Sequence, residues 1–354
     1  MSRYNRHIIL SEVGQKGQDK LNSAKVLVIG AGGLGCPVLQ YIVAAGVGKV
    51  GIVDFDKVDV SNLQRQVLFG TSSIGINKAI AAKKRLEDLN ETINLHAIPE
   101  QLTTKNALQI FKDYDIIVDG TDNFSTRYLI NDAALQLNKP VVYGAIFKFE
   151  GQVSVFNYNN GPSYRCLFPI SPKAGSIANC SEVGVLGMLP GIIGTMMANE
   201  VIKIILNFDG VLTGKLLCYN SKTTEVSTLK INRNPVEIDK IKSQPDLSYL
   251  SIEDNCTAVK EITNDELNFK KNIQFVDVRE LHEEPKIKLP NSLCIPLSEL
   301  ENAFKQIDTS KKIVVFCQSG IRSKKAVEIL LNQGVTNCYS LRGGVMSLIE
   351  KQSI

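Results

Sequence analysis

A polar segment from Asp54 to Gln66, with the sequence DFDKVDVSNLQRQ, holds the residues whose chemistry is easiest to interpret. It follows the glycine-rich run Gly30–Gly35, of sequence GAGGLG, by about the distance at which a dinucleotide-binding fold places its ribose-binding acid. A plain dehydrogenase needs only that one acid. Here the acid, Asp54, leads into a run that includes Arg65, and Lys78 follows soon after. Because arginine and lysine neutralise phosphates, this combination predicts a site for a triphosphate.

The glycines Gly30, Gly32, Gly33 and Gly35 are typical of a strand–turn–helix unit that binds phosphate. They permit a tight turn and a close approach of the phosphate, and the helix that follows offers free N–H groups to an anion. The glycines alone fit NAD or FAD as well as ATP, and they also fit a turn that binds nothing. An NAD-dependent oxidoreductase is therefore the alternative enzyme class, although it leaves Arg65, Lys78 and Cys317 unexplained.

Polar residues at successive strand ends extend this predicted site. Asp54 ends one predicted strand, where it is able to accept a hydrogen bond from a ribose hydroxyl. The segment Thr121-Asp122-Asn123 follows another, and ligands bind at the carboxyl ends of strands in such sheets. A carboxylate there is suited to hold Mg²⁺ between phosphate oxygens. The alternative interpretation makes Arg65 and Lys78 solvated surface charges.

The elements that must position these residues alternate between strands and helices. Apolar runs predict strands at 25–30, 49–54, 115–119 and 140–143, and helical patterns lie at 34–45, 79–89 and 127–137. This order predicts an α/β fold with a Rossmann-like, mostly parallel sheet. The runs 152–156, 215–219 and 225–231 alternate in polarity and predict antiparallel additions. A smaller α/β unit follows, with strands at 273–278 and 312–316 and a helix at 323–331.

Length and composition set further limits. The 354 residues are enough for two domains, and we place them at 1–235 and 261–354 with a linker at 236–260 that is polar and lacks periodicity. A net charge of +4 does not indicate binding to nucleic acid or to an anionic membrane. The apolar stretch 183–198 is shorter than the ~20 residues of a membrane span and predicts a buried helix. The N-terminus has no signal-peptide pattern, so the eight cysteines are expected to be reduced thiols in the cytoplasm.

Six segments together resemble the ubiquitin-activating-enzyme-like family, whose bacterial members are adenylyltransferases that activate sulfur-carrier proteins. The match spans roughly residues 1–232. The matching segments are RYNRHIIL (3–10), the glycine run, Asp54–Gln66, GINK (75–78), TDN (121–123) and CSEVGV (180–185).

The resemblance assigns roles to individual residues. ATP is expected over Gly33, with Asp54 on the ribose and Asp122 on Mg²⁺. The phosphates are expected to meet the Asp54–Gln66 run and its neighbours, namely Asp56, Ser61, Asn62, Arg65, Lys78 and Asn123. Arg6 is expected to enter the partner's active site in a homodimer; the sequence alone would leave it as a terminal surface charge.

The reaction implied by the resemblance joins a carrier protein to AMP. The carboxylate of the carrier's C-terminal Gly-Gly attacks the α-phosphorus of ATP and releases pyrophosphate. The protein contributes positioning and charge stabilisation, and no side chain needs to abstract a proton. His7 and His96 are therefore expected to be structural.

Two cysteines of the first domain need separate treatment. Cys180 precedes a glycine-rich helix, and the family carries a cysteine here that takes the activated acyl group as a thioester or acyl disulfide. Relatives often hold zinc with two C-x-x-C pairs, but here Ser163 replaces the first cysteine of one pair and residues 236–239 contain none of the other. Since Cys166 alone cannot complete a four-ligand site, we predict that zinc is absent.

The second domain contains a cysteine loop, CQSGIRS at 317–323, between a predicted strand and a predicted helix. N–H groups of such a loop point at the sulfur and favour its anion, and Arg322 adds charge. With VDVRE at 276–280 and LRGG at 341–344, the loop resembles that of a rhodanese domain over residues 261–350. The four residues between Cys317 and Arg322 suit a single sulfur atom, so Cys317 is expected to carry a persulfide and Arg322 to assist it.

The sequence thus predicts an ATP-dependent adenylyltransferase fused to its own sulfurtransferase. The carrier is expected to be of the molybdopterin-synthase type, with the thiamine carrier as the alternative. An upstream protein such as a cysteine desulfurase is expected to supply the persulfide. A carrier-binding scaffold without catalysis is a further alternative.

Overall fold

The computed structural model describes residues 3–172, 184–250, 259–267, 272–287 and 289–350. The chain divides into two compact units, Met1–Ile252 and Glu253–Ile354. Each unit has its own sheet and its own apolar core.

The first unit is built on eight strands in the order β3-β2-β1-β4-β5-β6-β7-β8. The first five pair in parallel, and β6, β7 and β8 are added antiparallel. This confirms the predicted mixed α/β sheet. The strands are β1 (Lys25–Ile29), β2 (Lys49–Val53), β3 (Asn94–Ile98), β4 (Ile116–Asp119), β5 (Val141–Phe147), β6 (Glu150–Phe156), β7 (Lys215–Asn220) and β8 (Val226–Lys230).

Helices cover both faces of the parallel part. They are α1 (Asn5–Ile8), α2 (Gly14–Ser23), α3 (Gly35–Ala44), α4 (Lys78–Leu89), α5 (Ala107–Phe111), α6 (Phe124–Gln136), α7 (Tyr164–Leu167), α8 (Leu189–Leu206) and α9 (Pro235–Lys242). In β1, Val26 and Val28 pack into a cluster with α3, α4 and α8, whereas Leu27 and Ile29 face a second cluster with α5 and α6. Since both faces are buried, the strand is apolar throughout rather than alternating.

The helix α8 contains residues 189–198 of the apolar stretch 183–198 that the sequence predicts to form a buried helix. By length and composition it is long enough to cross a membrane, a test that the core helix of a soluble protein also passes. Leu189, Ile193 and Met197 lie in the first apolar cluster. The buried Glu200 pairs with Lys203 and accepts the N–H of Leu212 at 2.9 Å, so α8 also carries a satisfied ion pair in the core.

The predicted linker at 236–260 begins with a helix instead. Asn234 accepts the N–H groups of Val236 and Glu237 at the start of α9, and Pro235 occupies the first turn. Ile238 and Ile241 pack against Leu135 of α6. The prolines suggest a linker, but Pro235 suits a helix start, where its missing N–H costs nothing.

The second unit has a five-stranded parallel sheet in the order β11-β10-β12-β13-β9. Its elements are β9 (Glu261–Ile262), β10 (Ile273–Asp277), β11 (Ser292–Cys294), α10 (Leu300–Ala303), β12 (Lys312–Phe316), α11 (Ile321–Asn332), β13 (Cys338–Leu341) and α12 (Gly344–Glu350). Val315 packs with α10 and α11 on one face, and Phe316 packs with α12 on the other. The end of β12, which leads into the Cys317 loop, is therefore packed on both faces.

Candidate functional site

The glycine turn joins β1 to α3 at the middle of the parallel sheet. Gly30 has a φ of +90°, and a Cβ on Gly35 would lie 1.8 Å from the carbonyl oxygen of Gly30, so both positions require glycine. A Cβ on Gly32 would lie 3.7 Å from its nearest neighbour, the side-chain amide of Gln66. At Gly33 it would lie 3.1 Å from Pro190 at the start of α8. The surface of the turn is thus bare backbone, which suits the close approach of a phosphate.

Asp54 lies beside this turn, at the carboxyl end of β2. The residue is 9% exposed, and its two carboxylate oxygens accept the N–H groups of Ala31 at 2.8 Å and of Asp56 at 2.9 Å. Burial raises the pKa of the Asp54 carboxyl, and the positive charge of Lys78 opposes that shift. Asp54 therefore ties the strand end to the glycine turn, and each oxygen keeps a lone pair for a ligand hydroxyl.

Lys78 is the first residue of α4 and is only 7% exposed. Its Nζ lies 3.1 Å from Oδ2 of Asp56, whose side chain is 54% exposed. Asn77 fixes this arrangement: its Nδ2 donates to the carbonyl oxygens of Asp54 at 2.9 Å and Asp56 at 3.1 Å, and its Oδ1 caps α4 through the N–H of Ile80. The structure thus brings Asp54, Asp56 and Lys78 together at one strand end.

The segment after Asp56 forms a short helical turn, Val60–Asn62. The N–H and hydroxyl of Ser61 both donate to Asp59, and Asn62 accepts the N–H of Asp59 at 3.2 Å. Arg65 donates to the carbonyl oxygen of Ser61 at 3.0 Å, and its Cδ lies 3.8 Å from where a Cβ on Gly33 would be. The stem of Arg65 therefore lies along the glycine turn, while Ser61 and Asn62 first serve to shape their own loop.

Asp122 and Asn123 follow β4, on the other side of β1 from Asp54. Asp122 is exposed and has no hydrogen bond or ion pair within the described part of the chain. The side chain of Asn123 caps α6 by accepting the N–H of Thr126 at 2.9 Å. Asp122 is thus the carboxylate at this sheet edge that is open to a ligand.

Two buried residues near the turn were missed by sequence reasoning. Gln66 is 3% exposed, and its Oε1 has no partner in the described ranges. Arg127 donates to the carbonyl oxygen of Thr121 at 3.0 Å, while its Nε has no described partner. Gln66 was visible as the end of the polar run, but no spacing in the sequence connects Arg127 to the Thr121 loop.

Arg6 lies on the short helix α1 and not in the cluster of Asp54, Asp56 and Lys78 at the strand end. It is exposed and has no ion pair among residues that the structure describes. The neighbouring Tyr4 anchors this region by accepting a hydrogen bond from Asn90 at 2.9 Å. His7 bonds Gln18 at 3.2 Å and His96 bonds Tyr114 at 3.4 Å, so neither imidazole belongs to the strand-end cluster.

The two cysteines of the first unit have different positions. Cys180 lies outside the described residues. The sulfur of Cys166 accepts the N–H of Ser163 at 3.3 Å and that of Asn234 at 3.2 Å. It therefore links α7 to the start of α9 by hydrogen bonds. Among the described residues there is no group of three or more His, Cys, Asp or Glu arranged to hold a metal.

In the second unit, Cys317 follows β12 and is 1% exposed. Its sulfur accepts the N–H of Gly320 at 3.1 Å, and Gly320 has a φ of +96°. The hydroxyl oxygen of Ser323 accepts from the Cys317 thiol at 3.7 Å, and the same hydroxyl donates to the carbonyl oxygen of Gly320 at 3.0 Å. An N–H directed at a sulfur stabilises negative charge on it. The loop supplies one such donor, the backbone N–H of Gly320, at the start of α11.

Arg322 belongs to the same loop, but its guanidinium is engaged. It forms two hydrogen bonds to the carboxylate of Glu283, at 2.5 and 2.6 Å. The Arg322 side chain lowers the pKa of Glu283 to about 2. Sequence reasoning, which gave Arg322 to Cys317 alone, missed Glu283 because its partner lies 39 positions away.

Residues 4–238 match the model of the ThiF family, and residues 263–351 match that of the rhodanese-like domain. The chain belongs to the ThiF family. This confirms the resemblance based on the glycine run, the Asp54–Gln66 segment and the Cys317 loop.

Other members align with this ThiF-family chain over most of its length. A probable molybdopterin-synthase adenylyltransferase of Porphyra purpurea is 40% identical over 356 residues, covering 98% of this chain and 92% of the relative. A probable adenylyltransferase/sulfurtransferase MoeZ of Mycobacterium tuberculosis is 37% identical over 362 residues, with coverage of 98% and 92%. A sulfur carrier protein adenylyltransferase of Thermus thermophilus is 50% identical over 240 residues, covering 66% of this chain and 89% of the relative.

Solved structures share the fold of the first unit. Escherichia coli MccB, in complex with MccA-N7isoASN, superposes with a TM-score of 0.60 at 24% identity, covering 66% of this chain and 73% of MccB. At that identity the likeness supports the ThiF-type fold alone.

Proposed function

We propose that this protein adenylates the C-terminal glycine carboxylate of a ubiquitin-like sulfur-carrier protein with ATP and then forms the carrier's thiocarboxylate with sulfur carried on Cys317. The observation that carries the proposal is the presence of both parts in one chain. Lys78 is a buried ammonium paired with Asp56 beside the glycine turn, and Cys317 is a cysteine whose sulfur accepts the backbone N–H of Gly320 at a helix start. Relatives that align along the whole chain are named for both activities.

The strand-end cluster suits the adenylation step. A carrier carboxylate oxygen attacks the α-phosphorus of ATP, the bond to pyrophosphate breaks, and an acyl adenylate forms. Lys78 and Arg65 are proposed to stabilise charge on the phosphates, and Asp54 to hold the ribose. The open glycine backbone at Gly32 supports this placement.

The charge balance at the turn supports a divalent cation. Asp54 and Asp56 follow β2 and Asp122 follows β4, the two strands on either side of β1, and Lys78 and Arg65 lie near the same turn. A triphosphate would add further negative charge beside these carboxylates. Bound Mg²⁺ would neutralise phosphate oxygens, and the exposed carboxylate of Asp122 is the group proposed to hold it.

The sulfur step is proposed for the second unit. A persulfide on Cys317 attacks the acyl carbon, and AMP leaves. The resulting acyl disulfide is split when a thiol attacks the Cys317 sulfur, which releases the thiocarboxylate and leaves a disulfide for a cellular dithiol to reduce. Cys180 is proposed as a residue that takes the activated acyl group.

The proposed reaction also implies particular partners. We propose a carrier of the molybdopterin-synthase type that ends in Gly-Gly, because the Porphyra relative is named for that synthase; the thiamine carrier is the alternative. We further propose that a protein such as a cysteine desulfurase donates the persulfide. The protein is proposed to be a cytoplasmic homodimer in which Arg6 enters the partner's site.

We also propose that the protein binds no zinc. The Cys166 sulfur already accepts two backbone N–H groups, and Ser163 stands where a second thiolate would be needed. Elemental analysis of the purified protein is expected to show no zinc, and stoichiometric zinc would contradict the proposal.

The test is ATP–pyrophosphate exchange with purified carriers of both types, followed by mass spectrometry of each carrier. Exchange that depends on a Gly-Gly-ended carrier is expected. The carrier that gains the thiocarboxylate in the presence of a persulfide donor is the substrate. Absence of exchange with both carriers would contradict the proposed adenylation.

A further inference from the structure

Arg279 and Arg322, two of the arginines at the Cys317 loop, are each neutralised by a carboxylate. Arg279 binds Asp277 through its Nε and one terminal nitrogen, and its other terminal nitrogen reaches Gln318 of the loop at 3.2 Å. Arg322 binds Glu283 through both terminal nitrogens. The pairs together carry no net charge.

Glu283 is fixed in place by more than this pair. Its Oε1 also accepts the N–H of Glu280 at 2.8 Å, so the carboxylate closes its own turn. Side chains of the pair are partly exposed, 35% for Arg322 and 22% for Glu283, whereas Cys317 is buried. Arg322 follows Cys317 by five residues in the same loop. The pair therefore lies at the partly exposed rim of the loop that holds the buried Cys317.

We propose that Glu283 is a positioning residue that engages Arg322 and thereby sets the sulfur donor of the Cys317 loop. The loop then discriminates against small dianionic donors and favours a persulfide carried by a protein. Thiosulfate is the dianionic probe. This inference rests on the proposed sulfur transfer. It concerns which donor loads Cys317, not whether Cys317 is loaded.

The chemistry of the two donors explains why charge decides between them. In both cases the Cys317 thiolate attacks the outer sulfur, and the donor's S–S bond breaks with its electron pair on the leaving group. A persulfide releases a thiolate, with one negative charge, whereas thiosulfate releases sulfite, with two. Binding a dianion beside a thiolate requires unpaired positive charge, which Glu283 removes from Arg322.

Other charged side chains near the Cys317 loop do not alter the comparison between the wild type and the Glu283 variants. Arg342, at the end of β13, is exposed and has no ion pair among the described residues. Glu280 is exposed beside Glu283, and Lys286 donates to the carbonyl oxygen of Leu281. The wild type and the Glu283 variants share all three side chains, so a difference in KM between these proteins reports on Glu283.

The experiment measures thiocyanate formation from thiosulfate and cyanide by the full-length protein. Glu283→Gln keeps the side-chain size and removes the negative charge. It is expected to lower the KM for thiosulfate about tenfold, because the positive charge of Arg322 is then free to attract the dianion. The change in kcat should be smaller. Glu283→Asp is expected to restore the wild-type KM. Asp308→Asn is the matched control, because Asp308 also has a pKa of about 2 but pairs with Lys311 before β12, at the other end of the strand.

A second measurement follows the salt dependence of the KM for thiosulfate, and its wild-type part does not depend on how the variants fold. Because Glu283 neutralises Arg322, the wild-type KM should hardly change between about 0.05 and 0.5 M salt, whereas that of Glu283→Gln should rise. An unchanged KM in folded Glu283→Gln, or a wild-type KM that rises strongly with salt, would overturn the proposal.

Loading with a persulfide donor separates this inference from the proposed function. Wild-type Cys317 should gain the mass of one sulfur atom from a desulfurase persulfide. Failure of that loading would count against the proposed sulfur transfer itself. Loading that succeeds while Glu283→Gln leaves thiosulfate use unchanged would count against the role of Glu283 alone.

Discussion

At the scale of single residues, the candidate nucleotide site depends on a buried ammonium. Lys78 is held by Asn77 and pairs with the largely exposed Asp56. Such an ammonium interacts with a phosphate more strongly than a surface lysine does, because the surroundings screen it less. Arg65 adds a planar guanidinium whose stem already lies along Gly33.

Replacing Lys78 tests this directly. Lys78→Ala is expected to reduce carrier-dependent ATP–pyrophosphate exchange by at least about a hundredfold, the usual effect of removing one group that stabilises a transition-state charge. Arg65→Ala is expected to act in the same direction. Lys83→Ala is the control, because Lys83 lies on the same helix and, among the residues that the structure describes, pairs only with Glu87 at the exposed face. Normal exchange in Lys78→Ala would refute the assignment.

The residue types of the site are predictable from the sequence, but the side chains that hold them in place are not. The glycine run, Asp54, Lys78 and Asp122 follow from spacing and strand ends. Asn77, Gln66, Arg127 and Glu283 act through contacts with turns that the fold brings close, and single-sequence patterns do not encode those contacts. Asn77 is the exception in part, since an Asn just before a helix is a typical N-cap.

At the scale of elements, the strands buried on both faces are the easiest to predict. After their first lysine, the strands KVLVI and KIVVF are apolar and buried because helices cover both sides. The helix α2 and the strand β3 were not predicted. In α2 only Gly17, Gln18 and Leu21 are buried, and β3 lies at the sheet edge with alternating exposure. Tertiary contacts rather than local pattern fix such elements.

The start of α4 is the element whose integrity matters most to the site. Asn77→Ala removes the cap and is expected to cost about 1 kcal/mol of stability. It should also reduce exchange, because Asn77 holds the Asp54–Asp56 backbone beside Lys78. Asn234→Ala is the matched control, since Asn234 caps α9. Urea unfolding should show a similar loss in both variants, and exchange should fall only in Asn77→Ala; equal exchange in the two would contradict the positioning role.

At the scale of the whole molecule, two units with separate sheets carry two kinds of chemistry. The first has cations and carboxylates around a glycine turn and no need for a thiol in adenylation. The second has a cysteine loop whose bordering arginines are paired with acids. The account therefore predicts that the two reactions are separable by mutation within one chain.

Single-turnover reactions of Cys317→Ser test that claim most directly. The full-length variant is mixed with ATP, Mg²⁺, a Gly-Gly-ended carrier and a persulfide donor, and both pyrophosphate and the mass of the carrier are measured. Cys294→Ser is the control, because Cys294 is an exposed cysteine at the end of β11 in the same unit. We expect Cys317→Ser to release pyrophosphate at the wild-type rate and to form no thiocarboxylate. Loss of pyrophosphate release, or thiocarboxylate formation at the wild-type rate, would contradict the account.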